Sequence, residues 1–233
     1  MLKLEHIYKT YHGKSVLTDV NLDVAAGATR ALIGASGSGK TTLLRVTLGL
    51  IPFEKGYVKI NDQALLSFRY FEWADRIGYV PQDGGLFPHI SARQNIALVP
   101  KLRGWSKTQI DARMAELRTL VGLEAADLLR FPYQLSGGQR QRASIMRAAM
   151  MDPPVMLLDE PMAALDPLIR RNLQQELKAI FQRLAKTVLL VTHDLGEAAF
   201  LAEQISLLHE GRVLQTGSYR ELLARPADPF VTL

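Results

Sequence analysis

The chain has no cysteine, which excludes disulfides and thiolate metal sites without naming a compartment. It has no run of eighteen or more apolar residues either, so a helical membrane span is excluded. The first residues, Met1-Leu2-Lys3-Leu4-Glu5, lack the apolar stretch of a secretory signal. A soluble chain is expected, one that meets a membrane only through a partner. Internal repeats, low-complexity tracts and linkers long enough to separate independent domains are also missing. The formal charge is +5, but the basic residues are scattered. Their nearest approach to a cluster, Arg140, Arg142 and Arg147, is expected on a solvated or subunit-facing helix surface, and no nucleic-acid partner is expected.

What is present is an ordinary globular composition over 233 residues, enough for one large or two small domains with a substantial core. The first segment, 2–24, reads as two strands around the turn His12-Gly13-Lys14, with alternation in Val20-Asn21-Leu22-Asp23-Val24. Extended stretches follow at 31–33, 57–60 and 77–80. Between 83 and 151 the periodicity turns helical, including a capping-box start at Ser106 and Gln109 ahead of Ile110, Met114, Leu117 and Val121. After Pro153-Pro154, the runs 155–158 and 188–191 are short and apolar on both faces, separated by a helical pattern over 168–184. Such runs suit a parallel sheet covered on both sides. The fold class expected is α/β: a nucleotide-binding core with an inserted helical subdomain.

One stretch organises the rest. Gly34-Ala35-Ser36-Gly37-Ser38-Gly39-Lys40-Thr41-Thr42 follows the apolar run Ala31-Leu32-Ile33 and opens a helical pattern. Strand, glycine-rich loop and helix in that order is the context of a phosphate-binding loop. Its glycines expose backbone N–H groups at the positive end of the helix that follows. Lys40 is expected to reach the β- and γ-phosphates of a nucleoside triphosphate, and the Thr41 hydroxyl to ligate Mg²⁺.

Three further candidates follow apolar strands, and in an open α/β sheet ligands bind just beyond the carboxyl ends of strands. Gln82 follows 77–80, Asp159 and Glu160 follow 155–158, and His193 follows 188–192. Asp159 suits a carboxylate holding Mg²⁺, and Glu160 is placed to activate an attacking water. Gln82 could equally be a loop amide after proline, and His193 could help cap the helix starting at Asp194, which has its own box partner in Glu197. The stretch Leu135-Ser136-Gly137-Gly138-Gln139 is a second helix N-terminus suited to anions, with Ser136 as N-cap and Gln139 completing a capping box. By residue usage that string arises in about one chain in several thousand.

Over essentially its whole length, the chain resembles the ATP-binding cassette family. The matching motifs are the Walker A loop at 34–42, the Q-loop Gln82, the signature at 135–139, Walker B through Asp159 and Glu160, the D-loop Ala164-Leu165-Asp166 and the switch His193. The resemblance implies a P-loop NTPase core with a mainly parallel sheet, an N-terminal antiparallel β part and an inserted helical subdomain. A single nucleotide-binding domain over 1–233 is expected, its core at about 1–82 and 152–233 and its helical subdomain at about 83–151. It also implies ATP hydrolysis with Mg²⁺ held by Thr41, Gln82 and Asp159, and catalysis by Glu160 and His193. Tyr11 matches the aromatic that stacks on adenine, with Val16 beside the ribose; the alternative for Tyr11 is a packed strand aromatic. Two cassettes pair head to tail in the family, so Ser136, Gly137, Gly138, Gln139 and Asp166 are expected to act on the partner's nucleotide. A departure is Ala163-Ala164, where Ser-Ala is common before Leu-Asp.

Within the family, Gly85-Leu86-Phe87-Pro88-His89, the run 95–101, Gly104-Trp105, the run 163–170 and Ala227-Asp228-Pro229-Phe230-Val231 are similar to importer ATPases of the osmoprotectant, or quaternary-amine, branch. The implied partners are a second cassette, an integral membrane permease and, indirectly, a substrate-binding protein, at the cytoplasmic face of the cell membrane. Many members of that branch carry C-terminal regulatory CBS modules, and this chain stops at Leu233, so sensing through such modules is not carried over. The other readings are an importer ATPase for amino acids or another small solute, and a soluble cassette ATPase acting on nucleic acid or ribosomes. The latter usually carries tandem cassettes, coiled-coil or zinc insertions, none of which occurs here.

Overall fold

The computed structural model describes residues 1–65, 73, 75–162 and 167–228, with backbone only for 167–172. The chain opens with β1 (Leu2–Tyr11) and β2 (Lys14–Val24), whose alternation buries Leu2, Leu4 and Ile7 against Leu17, Val20, Leu22 and Val24. Between them His12 and Gly13 both take positive φ, the geometry of a tight hairpin. Then come β3 (Thr29–Ile33), α1 (Lys40–Thr47), β4 (Lys55–Ile60), the two-residue β5 (Gln63–Ala64) and β6 (Ile77–Val80).

A helical stretch follows: α2 (Ala92–Leu102), α3 (Lys107–Val121) and α4 (Gly137–Ala149). All three start at a serine whose side chain accepts from the N3 amide while the N3 glutamine reaches back, at Ser91/Gln94, Ser106/Gln109 and Ser136/Gln139. The chain then alternates β7 (Val155–Asp159), α5 (Pro167–Leu184), β8 (Thr187–Val191), α6 (Leu195–Leu201) and β9 (Gln204–His209), before β10 (Arg212–Gly217) and α7 (Tyr219–Ala224).

Two sheets result. One is antiparallel, in the order β2-β1-β4-β5; the other has six strands in the order β10-β9-β3-β8-β7-β6. In the second, β9, β3, β8, β7 and β6 run parallel and only β10 is antiparallel. The α/β class with a mainly parallel sheet and an N-terminal antiparallel part is therefore borne out.

The parallel sheet is buried on both faces, which is why its strands read as continuous apolar runs. Met156 and Leu158 of β7 join one core cluster with Met114, Leu117, Ile145 and Leu177 of the helices. Val155 and Leu157 join the other, with Leu43 of α1 and Leu2, Leu4 and Ile60 of the antiparallel sheet. The register of the strands aligns their ends: Val191 pairs with both Leu32 and Asp159, and Val80 with Leu158. The carboxyl ends of β3, β8, β7 and β6 thus come level at one edge.

Candidate functional site

At that edge the loop after β3 packs too closely for side chains at two of its glycines. A Cβ on Gly34 would stand 2.2 Å from the Leu208 carbonyl oxygen, and one on Gly39, at φ +110°, would stand 2.9 Å from Leu17 Cδ2. Gly39 is the N-cap of α1, offers no side-chain cap, and no acidic residue occupies the first turn. The first amides of α1 are thereby left for an external anion. Lys40 is 7% exposed, and its ammonium donates to the carbonyl oxygens of Gly34 at 2.7 Å and Ala35 at 2.9 Å. Burial pushes its pKa down, against the opposing pull of Glu160 and Asp159.

A cleft of about 420 Å³ opens over this loop. Its floor is formed by Ser36, Gly37, Gly39, Lys40, Thr41 and Thr42, and its walls by Val16, Glu160 and His193. Asp159 ends β7, partly buried, with the Tyr79 hydroxyl donating to it at 3.4 Å. Burial, and then the neighbouring charge of Glu160, raise its pKa above the ordinary carboxylate value. The same burial and the charge of Asp159 push the Tyr79 phenol up to about 12.

Glu160 sits at φ +43°, a left-handed conformation costly for a residue with a side chain, and its amide donates to the Val191 carbonyl at 2.8 Å. Its carboxylate lies 3.1 Å from His193 Nδ1, and Gln82 Nε2 donates to it at 3.5 Å. His193 is spared the capping role: Asp194 is the N-cap of α6, accepting from the Glu197 amide, and Thr192 Oγ1 accepts from the Asp194 amide. The ends of β6, β7 and β8 thus bring Gln82, Glu160 and His193 together, the last two lining the cleft with Lys40.

Other candidates lie elsewhere. Tyr11 stands at the end of β1, 39% exposed, and Val16 alone of that pair lines the cleft. Ser136, Gly137, Gly138 and Gln139 cap α4 and are not among the residues lining the cleft. Asp166, with Ala163-Ala164-Leu165, lies outside the described residues, as do Pro229, Phe230 and Val231.

The arginines of α4 are half-buried and bonded within the chain: Arg140 donates to the Leu135 carbonyl, Arg142 to the Gly122 carbonyl and Glu176, and Arg147 to the carbonyls of Gly84 and Gly85. Guanidinium groups settle there because turn carbonyls need donors that the backbone does not supply. Ser144 adds a bond from its hydroxyl to the Gly84 oxygen at 2.6 Å. The partners of Ser144, Arg147 and Tyr79 are not written in the sequence, since each is met across a long stretch of chain.

A phosphate loop facing a strand-end carboxylate pair and a histidine is the architecture of a P-loop nucleotide hydrolase. The chain belongs to the ABC transporter family, whose model matches residues 17–163, and ATP hydrolysis is the activity of that family. It is similar to the glycine betaine uptake system ATP-binding protein of Escherichia coli, 44% identical over 99% of this chain and 75% of that one. The choline transport ATP-binding protein of Bacillus subtilis is 43% identical over 99% of this chain, which spans only 61% of that relative. A dimeric ATP-binding cassette solved in a post-hydrolysis state with ADP and Pi superposes with a TM-score of 0.80 at 34% identity, covering 94% of this chain and 98% of that one. Among the described residues no helix is long and apolar enough to cross a membrane.

Proposed function

We propose that the chain is the ATP-hydrolysing subunit of an importer for osmoprotectants of the quaternary-amine class, such as glycine betaine or choline. It works at the cytoplasmic face of the cell membrane, attached to an integral membrane permease that a substrate-binding protein loads. The names of its relatives support the cargo class. The observation that carries the enzymatic part is the Glu160 carboxylate set between Gln82 and His193 over the phosphate loop. The chain forms one domain, with a core at about 1–82 and 152–233 and a helical subdomain at about 83–151.

In this reading Lys40 exchanges its bonds to Gly34 and Ala35 for the β- and γ-phosphates, while the α1 amides hold the phosphate oxygens. Tyr11 stacks on adenine and Val16 lies beside the ribose. The residues also suit Mg²⁺: the Thr41 hydroxyl, the Gln82 amide and Asp159, a carboxylate whose raised pKa a cation would relieve. Held by these residues, Mg²⁺ would supply positive charge to offset that of the phosphates. Glu160 orients the attacking water and accepts its proton, and His193 holds the γ-phosphate. A second cassette, docked head to tail, supplies Ser136, Gly137, Gly138 and Gln139 to this cleft, and its Asp166 acts with them on the nucleotide.

The test is ATP turnover by the subunit reconstituted with its permease, while a binding protein is presented with betaine, choline, carnitine, sulfate and amino acids. Stimulation by a quaternary amine is expected. Glu160→Gln should keep ATP binding and lower turnover by about a hundredfold or more. Stimulation by sulfate or an amino acid alone would discard the cargo class, and copurification with ribosomes without a permease would discard transport.

A further inference from the structure

The end of β1 carries a contact that the proposed chemistry does not use. Lys9 is 7% exposed, and a lysine so buried needs a partner. Its ammonium donates to Glu54 Oε1 at 3.0 Å and stands 5.0 Å from the centroid of the Tyr11 ring. Glu54 is bound to β1 at two more points. Its other carboxylate oxygen accepts from the Thr10 amide at 3.0 Å, and its own amide donates to the Tyr8 carbonyl at 3.0 Å. Glu54 ends the connection leaving α1, the helix of the phosphate loop, so these bonds tie that connection to the strand bearing Tyr11.

The strand needs the tie. Its register against β2 shifts on both sides of Lys9, between Ile7 and Lys9 and between Lys9 and Thr10. Such irregularities weaken the ladder as a means of aiming the residues beyond them. Two residues past Lys9, Tyr11 pairs with Lys14 at the foot of the hairpin turn. A cation over one ring face and a carboxylate clamping that cation do what the irregular ladder cannot. Together they place a second constraint on the ring, with Lys9 Nζ held by Glu54 and 5.0 Å from the ring centroid.

We propose that Lys9 and Glu54 are positioning residues for nucleotide binding: the Glu54–Lys9 pair backs one face of Tyr11, so that adenine meets a pre-oriented ring on the other. This rests on Tyr11 being the adenine platform, as proposed above. A ring ordered before binding loses less freedom when the base arrives, which appears as affinity for the base and not for the phosphates.

The experiment measures binding of ATP and of inorganic tripolyphosphate, which has no base, to the full chain by calorimetry. The variants are Lys9→Met, Lys9→Arg, Tyr11→Ala and the double variant Lys9→Met/Tyr11→Ala. Lys9→Met should weaken ATP binding about fivefold, raising KM with little change in kcat, and leave tripolyphosphate binding unaltered. Lys9→Arg should restore most of the loss, and the double variant should bind ATP no worse than Tyr11→Ala alone. Equal losses for ATP and tripolyphosphate, or additive losses in the double variant, would overturn the positioning role and leave the stacking role standing. Wild-type ATP affinity in Tyr11→Ala would instead remove the stacking reading and the positioning role with it.

Discussion

Asp159 and Glu160 are neighbours in the chain with different surroundings. Asp159 is held in a partly buried position beneath the Tyr79 hydroxyl, where burial raises its pKa, while Glu160 faces the cleft between an amide and an imidazole. A carboxyl whose folded pKa lies above its unfolded value binds its proton more tightly in the fold. Its contribution to stability is therefore full below the ordinary carboxylate range and is lost as pH rises through the folded value. Asp159→Asn mimics the protonated form. In the nucleotide-free protein it should raise the Tm at pH 7 by about 1–2 °C, a small effect because solvent screens the site, and the difference should vanish as pH falls below the ordinary aspartate value of 3.8. ATP turnover should fall about a hundredfold or more in the same variant. Thermal melts across pH, together with a phosphate-release assay, check both. The identity of the two carboxylates was legible in the sequence, because a strand-ending Asp-Glu after a phosphate loop is a local pattern. The difference in their surroundings was not, because it depends on how far the folded chain buries Asp159, and its contact with Tyr79 spans eighty residues.

At the scale of elements, α4 is what ties the turn after Gln82 to the helical stretch. Arg147 and Ser144 satisfy the carbonyls of Gly84 and Gly85, and burial lowers the Arg147 pKa against the opposing charge of Asp83. Since Ser136 caps α4, one helix links the turn after Gln82 to the residues proposed to face a second cassette. Arg147→Met leaves the Gly85 carbonyl without its donor, while Gly84 keeps the Ser144 hydroxyl, and should cost about 1–3 kcal/mol in urea unfolding. It should also lower kcat several-fold with little change in ATP affinity, since neither Lys40 nor Tyr11 is touched. An ATP affinity that fell with kcat would show that the tie serves the nucleotide site itself. Helix starts were legible here, because a capping box is written within four residues, as at Ser106 and Ser136. The arginine partners were not: Arg147 and Gly85 are 62 residues apart. The β9–β10 hairpin was also missed, although the turn residues Glu210 and Gly211 take positive φ between apolar runs.

For the molecule as a whole, the question is where the signature residues act. Among the residues lining the cleft over Lys40 none comes from 136–139. A Cβ added at Gly138 meets nothing within 4 Å, and the residue does not have positive φ, so Gly138→Asp is tolerated by the chain itself. Its effect should appear only where that glycine meets another molecule. Lys40→Ala and Gly138→Asp should each be inactive alone, whereas an equal mixture should recover about a quarter of wild-type turnover, because half the dimers then carry one intact composite site. No recovery on mixing, measured in a coupled ATPase assay, would assign both residues to a single chain's site.

The sequence by itself determined the chemistry carried by each segment: a glycine-rich loop between strand and helix, carboxylates at a strand end, serine-capped helices and apolar runs that demand a covered sheet. These are legible because their causes, side-chain size, backbone freedom and capping, act over a few residues. Only the tertiary structure decided which segments meet. Parallel pairing of β3 with β8 and of β8 with β7 brings Lys40 and Thr192 to one edge and sets Glu160 against His193. It also decided which polar groups serve as braces. Lys9, Tyr79 and Arg147 have partners fixed by burial, where an unpaired charge or carbonyl costs too much to leave, and burial is a property of the folded chain.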